Sequence, residues 1–449
     1  MMKNKNTLII AEWQKFGTED IKKGGIGSAH QAQKIFNELV DFAHQEGNRC
    51  FLKFKNSNTL VAQNYVGLIQ TKSGFCVEIL PKTFQATNES QGFEAQKDEN
   101  KKQELIESAK NLLLRMLQAL KNSPFKYNQL ASLKVQNMPL LEIFVLMFLN
   151  ELDNLVKKGL KSNYTTQEEN RKFLKGKLLF NQNLKYNLTH KERFFTASDE
   201  FSVNIAPNRI IKSTLELLSR QSFSSKIYTR LTQMRFIFAD IASSRNIDKD
   251  LSQCAKSRLF NTYDLILQWC KVFLRKQAFT PYQGSAKAFA LLFDMNKLFE
   301  SFVANEMKKW FINENFRINN TYYKDFMESF EKKPDLIKTQ EKRKFLALEE
   351  GKEGEDRFCL KPDIVGYEKA YKDLKPVFIA DTKWKILNDD SKNYGISQND
   401  MYQMFAYLTK YECEQGFLIY PEIANNNKSK TFIFKYNSEI KLKTCFFPL

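Results

Sequence analysis

The spacing of apolar positions changes character three times along the chain. Over residues 1–84 they come in short runs, at 8–11, 50–54, 59–62, 65–70 and 75–80, which predict strands. One longer stretch breaks that rhythm. Ile35, Phe36, Leu39, Val40 and Phe42 recur at helical spacing and predict a helix over 31–46. Lys72-Ser-Gly74 supplies a turn, so the last two strands should pair as a hairpin. Residues 85–102 are polar and nearly free of aliphatic side chains, which predicts a linker or exposed loop. From Glu104 to about Lys276 the period is helical: Leu112, Leu113, Met116, Leu117 and Leu120 make one stripe, and 140–160 a second, very apolar one. From about Ala286 helix and strand patterns alternate: a helix over 293–306, strands at 358–365 and 377–380, then a helix over 398–411 carried by Met401, Phe405, Leu408 and Tyr411. Strands at 416–420 and 431–436 follow, separated by the polar turn Asn425-Asn-Asn-Lys428. The class expected is multidomain α/β. An α+β region with β-hairpins spans 1–84 and a polar linker 85–103. A mainly helical middle domain spans 104–285, and a mixed sheet flanked by helices 286–449.

A chain of 449 residues has room for two to four domains, and its formal charge of +18 favours a polyanionic partner. Lys far outnumbers Arg, which suits contact with a phosphate backbone more than bidentate reading of base edges. The longest apolar run, 143–149, is far short of the roughly 20 residues of a membrane span. The first residues lack the apolar core and cleavage site of a signal peptide. Seven cysteines are scattered without a Cys-x-x-Cys pair, and three histidines complete no zinc set. A cytoplasmic protein with reduced thiols is expected. Gly24-Gly-Ile-Gly27 is not followed by Lys-Ser/Thr, so it is not a nucleotide-binding P-loop.

The candidate chemistry gathers at 358–387. Asp363 and Asp381 stand where two apolar runs break off, and Lys383 shares a strand face with Asp381 because it lies two residues on. Two carboxylates plus the Thr382 backbone carbonyl make an oxygen site suited to Mg²⁺, and the lysine adds a cation for an attacking water and a charged transition state. A hairpin with solvated charges at its ends is the competing reading. Lys333-Pro-Asp335 is set aside because no apolar strand and no Asp-x-Lys are seen to follow it. Gln403 and Tyr407, four apart, are neighbours on one helix face. Glu300, on the helix over 293–306, is either an edge residue or a third acidic group. Arg171, Lys172, Lys175 and Lys177 form a basic segment that meets DNA phosphates, meets an acidic partner surface, or is a solvated loop. Asn208 and Arg209 are given no chemistry.

Pro362-Asp363 followed by Asp381-x-Lys383 resembles the PD-(D/E)xK nuclease superfamily, and the Gln403-x-x-x-Tyr407 helix is similar to its RecB-type branch. Together with Asp294-Met-Asn-Lys-Leu-Phe-Glu300 and Asp400-Met-Tyr-Gln-Met-Phe-Ala-Tyr407, these motifs resemble McrC, the nuclease subunit of McrBC-type modification-dependent restriction systems, in its LlaJI-like branch. The segments 66–70 and 77–82 resemble the amino-terminal part of that family. The resemblance implies a DNA endonuclease that uses Mg²⁺, with Mn²⁺ as a substitute. Asp363, Asp381, Thr382 and Glu300 would be metal ligands, Lys383 would act on the water, and Gln403 and Tyr407 would line the site and touch the DNA backbone. It also implies an AAA+ GTPase hexamer docked by the amino-terminal region, which binds the GTP, recognises modified DNA and translocates it. Two other readings stay open: a non-cleaving, DNA-binding subunit that stimulates the GTPase, and a stand-alone RecB-like nuclease.

Overall fold

The computed structural model describes residues 6–83, 99–120, 124–125, 138–255, 262–274, 289–349, 355–370, 373–422, 428–435 and 437–449. The chain divides into two compact units, 1–128 with 292–449, and 129–291. In the first, β1 (Thr7–Ala11) runs parallel to β6 (Cys76–Leu80), and β6 pairs antiparallel with β5 (Tyr65–Gln70). The expected hairpin therefore forms, and its turn uses Gly74 at φ +82°, a backbone angle glycine adopts without strain. A small sheet of β2 (Lys15–Phe16), β4 (Thr59–Ala62) and β3 (Leu52–Asn56) lies beside the helix Ala29–His44, which buries Ile35, Phe36, Leu39 and Phe42.

The division differs from the expected domain limits. Part of the expected linker, 85–98, lies outside the described residues, and its end belongs to the helix Glu99–Ala119. That helix packs on the helix Met295–Ile312, and its Lys110 forms a buried ion pair with Glu78 of β6 at 2.8 Å. It therefore belongs with the first unit, not with a middle domain.

In the second unit the helix Leu140–Lys157 is buried almost all round over 140–149, its most apolar part. Helices make up most of this unit, and it also carries a sheet that the sequence did not predict. The strands β7 (Asn163–Arg171), β8 (Lys177–Leu178) and β9 (Phe194–Ser202) form a sheet in which β7 and β9 pair along their full length. NYTTQEENR has no alternating apolar face, so these strands are held by the backbone ladder, and hydrophobic period could not reveal them.

β10 (Phe289–Asp294) leads into the helix Met295–Ile312, capped by the Asp294 side chain. A pair of strands, β12 (Phe345–Leu348) and β13 (Asp356–Cys359), stands apart from the main sheet. That sheet has six strands, in the order β11 (Leu336–Thr339), β14 (Ile364–Ala370), β15 (Asp373–Thr382), β16 (Gln415–Pro421), β18 (Asn437–Phe447), β17 (Thr431–Phe434). It is mixed, with β15–β16 and β16–β18 parallel and the other pairs antiparallel. Four details depart from the sequence reading. The expected strand over 358–365 is broken at Pro362 and shared between β13 and β14. The expected charged connector, 369–375, is largely strand on both arms of the hairpin. β18 was not foreseen, and the turn at 425–428 lies almost wholly outside the described residues. Asp335 is, after all, followed by a strand, β11. Its pairing sets Leu336 opposite Tyr367 and Thr339 opposite Ile364, so Asp335 sits at the far end of the sheet from Asp363.

One sheet face packs Phe378 and Phe417 against Phe330, and the other packs Ile379, Leu418 and Leu442 against Met404, Tyr407 and Leu408 of the helix Gln398–Tyr411. Gly366 lets the first face close, because a Cβ there would lie 2.4 Å from the Phe378 ring. Gly366→Ala should destabilise the protein by about 1–3 kcal/mol through overpacking, measured as a shift of the chemical-denaturation midpoint.

Candidate active site

The register of one strand pair builds the site. Ile364 faces Ala380, which sets Asp363 beside the end of β15 where Asp381 stands. Asp363 Oδ2 accepts two hydrogen bonds from Thr382, one from the backbone N–H and one from the hydroxyl, both at 2.8 Å. The N–H and C=O of a strand residue point to the same edge, so the Thr382 carbonyl faces Asp363 as well. Lys383 N–H donates the opposite way, to Ile419 C=O at 2.8 Å.

Asp381 shares its strand face with Ile379, so it looks toward the helix Gln398–Tyr411 and is 2 % exposed. Lys383 Nζ lies 2.7 Å from Asp381 Oδ2 and 3.2 Å from Asp400 Oδ1. The first contact is an ion pair without hydrogen-bond geometry, so the buried Oδ2 accepts no hydrogen bond. Lys383 Nζ also donates to Gln403 Oε1 at 3.2 Å. Gln403 Nε2 donates to the Tyr407 hydroxyl at 2.8 Å, and that hydroxyl donates to Lys361 C=O at 3.1 Å. The expected neighbours on the helix thus form one chain of hydrogen bonds that ends on the lysine.

Glu300 sits on the helix Met295–Ile312 and accepts from Gln340 Nε2. Gln340 has a left-handed backbone, φ +49°, and its own N–H donates to Asp363 C=O at 3.0 Å, so it ties the two acidic positions together. The three carboxylates do not form a closed cage, and among the described residues no three acidic, His or Cys side chains are grouped to hold an ion.

The electrostatics follow from burial. Burial and then the charge of Glu300 push Asp363 up to about 6, against the two Thr382 hydrogen bonds. Burial and then Asp363 push Asp381 up to about 7, against Lys383. Glu300 is raised by burial and by Asp381, with Gln340 and Lys361 opposing. Burial works against the Lys383 ammonium, but Asp381 and Asp400 hold its pKa above the ordinary lysine value. Three carboxylates around the Asp363–Asp381 edge therefore face too little positive charge, and a divalent cation fits that deficit. The donor set is of the hard oxygen type: Asp363, Asp381 and the Thr382 carbonyl, with Asp381 Oδ2, ion-paired to Lys383 but accepting no hydrogen bond, among them. Lys297 and Lys361 are exposed and close enough to act on Glu300.

Asp400, Gln340, Lys361 and the Thr382 hydroxyl were not picked out from the sequence. Asp400 carried a usable signal, since it lies three residues before Gln403 and so shares its helix face. The basic segment of the second unit is partly structural. Arg171 is buried against Ser198, Glu169 and Glu200, and Lys175 pairs with Glu200, while Lys172 and Lys177 are exposed. Arg209 pairs with Asp250, and Asn208 bonds the carbonyls of Lys161 and Val203.

A family model described as "McrBC 5-methylcytosine restriction system component" matches residues 60–421. No curated protein matches the sequence. Among solved structures, a chain of a half-complex from a tetradecameric assembly of Thermococcus gammatolerans McrB AAA+ hexamers with bound McrC is similar at 17% identity and a TM-score of 0.63. The match covers 98% of this chain and 94% of that one, and at this identity it shows a shared fold. A chain of the Thermococcus gammatolerans McrBC complex gives 21% identity and a TM-score of 0.44, covering 67% of this chain and 86% of that one. The family match spans most of the chain and agrees with the motifs that gather at Asp363, Asp381 and Lys383: this protein belongs to the McrBC 5-methylcytosine restriction system component family.

Proposed function

We propose that the chain is the McrC-type endonuclease subunit of a McrBC-like restriction complex and hydrolyses DNA phosphodiesters with Mg²⁺, or Mn²⁺ in its place. The observation that carries this reading is the pair of buried, under-compensated carboxylates, Asp363 and Asp381, beside a charged Lys383. Asp363, Asp381 and the Thr382 carbonyl would hold the cation, with Glu300 adding negative charge behind Gln340. When bound, Mg²⁺ supplies Lewis-acid polarisation of the scissile phosphate and lowers the pKa of a water.

The chain's own residues do the rest. Lys383 is protonated and held on two sides by Asp381 and Asp400, so it serves as a fixed donor and cation for the attacking water and the phosphorane charge, not as a general base. Gln403 and Tyr407 fix the ammonium from the helix side. Lys297 and Lys361 face the DNA backbone, in keeping with a Lys-rich chain that binds phosphates without reading bases.

The partner in this reading is an AAA+ GTPase ring that binds the GTP and selects modified DNA, as McrC is bound to McrB AAA+ hexamers in the Thermococcus assembly. Residues 1–84 belong to the same compact unit as the nuclease sheet. Within 164–203 of the second unit large apolar side chains stand exposed close together in sequence, with Phe173 and Leu174 each 61% exposed and Leu188 70%. We assign ring docking to that surface. The described residues contain no helix long and apolar enough to cross a membrane.

Lys383→Ala and Asp381→Ala should each lower Mg²⁺-dependent DNA cleavage by the reconstituted complex by about 10²–10³-fold or more while GTP hydrolysis continues, measured on plasmid substrates. Cleavage by both variants at the wild-type rate would remove the site. Absent cleavage in wild type, with GTPase stimulation retained, would favour the assembly-subunit reading. Cleavage without any ring protein would favour the stand-alone nuclease.

The carboxylates also predict a pH effect. Their folded pKa values lie above the unfolded value near 3.9, so between about pH 4 and 7 the folded state holds more protons. Their contribution to metal-free stability is therefore lost as pH rises through 6–7. Asp381→Asn should raise stability by about 1–3 kcal/mol more at pH 8 than at pH 5, read as thermal unfolding in chelator across that range.

Phe173→Asp with Leu174→Asp should abolish ring binding, by a factor on the order of 10² in Kd, with thermal stability unchanged, measured by interferometry against the purified ring.

A further inference from the structure

Glu12, at the end of β1, is a fully buried carboxyl group, and its Oε2 has no hydrogen-bond partner. A buried carboxylate so poorly satisfied is costly unless its remaining bonds serve a purpose. Those bonds converge on the residue after Lys383. Glu12 Oε1 accepts from Trp384 Nε1 at 2.5 Å and from the Lys82 backbone N–H at 3.0 Å. Lys82 Nζ donates to Trp384 C=O at 2.7 Å and lies 5.3 Å from the centre of the Trp384 ring. Both ends of Trp384, indole and carbonyl, are therefore gripped by residues more than 300 positions away in sequence.

The other face of the indole meets Phe299, with ring centres 5.2 Å apart, and Phe299 precedes Glu300. Trp384 is thus the one side chain among these that touches the Glu300 helix while being bonded to Lys383 through the backbone. β15 ends at Thr382, so beyond that point the sheet ladder no longer fixes the chain. Only Lys383 N–H to Ile419 C=O continues it. Something else must hold the lysine backbone where its ammonium can sit between Asp381 and Asp400.

We infer that Glu12, Lys82 and Trp384 form a positioning clamp, through which the amino-terminal sheet holds Lys383 in register with Asp381. The inference rests on the nuclease reading of the same site. Glu12, Lys82 and Trp384 touch no reacting atom. They act through the Lys383–Trp384 peptide, and a small displacement of a positioned group is enough to cost about 10²-fold in rate.

The test uses the full chain assembled with its ring partner and a plasmid substrate. Trp384→Phe keeps the ring and its packing on Phe299 but removes the N–H, and Glu12→Ala removes the acceptor. Each should lower kcat for cleavage about 10-fold or more with KM for DNA unchanged, and the double variant should be no worse than the weaker single one, because both break one clamp. Glu12→Gln, which keeps an acceptor oxygen, should recover cleavage to within about threefold of wild type. Should Glu12→Ala fail to fold, Trp384→Phe with Glu12→Gln carries the test. Wild-type kcat in Trp384→Phe, losses that multiply in the double variant, or a raised KM with unchanged kcat would overturn the clamp. Lys383→Ala separates the two readings: if it is inactive while Trp384→Phe is fully active, the clamp alone fails; if it is fully active, the site itself fails.

Discussion

The site depends on the register of β14 against β15. Because side chains alternate faces along a strand, a slip of one residue would turn Asp381 and Lys383 to the opposite face and bring hydrophobic Ala380 to the edge beside Asp363. Two features prevent that slip. Asp363 is locked to Thr382 by two hydrogen bonds that exist in one register only. Phe378 fills the space left by Gly366, and Gly366 is its direct partner across the hairpin. The geometry of the candidate site and the aromatic core are thus two consequences of one pairing.

That pairing concentrates like charge where water is scarce. Asp363 and Asp381 raise one another's cost, Glu300 adds to it, and Lys383 offsets only part. Natural cores avoid this arrangement, and binding sites retain it because the ligand repays the strain. Lys383 is different: between Asp381 and Asp400 its charged form is favoured in spite of burial, so the site keeps a permanent cation and a variable anionic edge. A group that stays charged suits the steady task of stabilising phosphate charge. Groups poised near neutrality suit the uptake of a cation.

Local relations were legible in the sequence and long-range ones were not. Asp381 and Lys383 could be placed on one face because they are two apart in a strand, and Gln403 and Tyr407 because they are four apart in a helix. Five of the six strands described in 1–84 showed in the apolar runs, and only the two-residue β2 did not. Gln340 could not be seen, because its role depends on a left-handed turn that brings it to Glu300 and Asp363 at once. β7 and β9 could not be seen either, since their pairing stabilises them without an apolar face. The broken strand at Pro362 was readable in principle, since proline cannot extend a ladder, yet the apolar residues around it suggested continuity.

The same limit explains why the amino-terminal region looked separable. Its own strands read as a local sheet, although the sheet is completed by β10, which pairs on β5, and nothing in the pattern of 1–84 announces that fourth strand. Two buried charges add to the tie. Glu78 pairs with Lys110 of the helix that packs on Met295–Ile312, and Glu12 bonds Trp384, which follows Lys383 just past the end of β15. Removing either from water without its partner would leave an uncompensated charge in a low-dielectric core. A sheet made stable by contacts with the carboxyl-terminal half is not a free module attached to it.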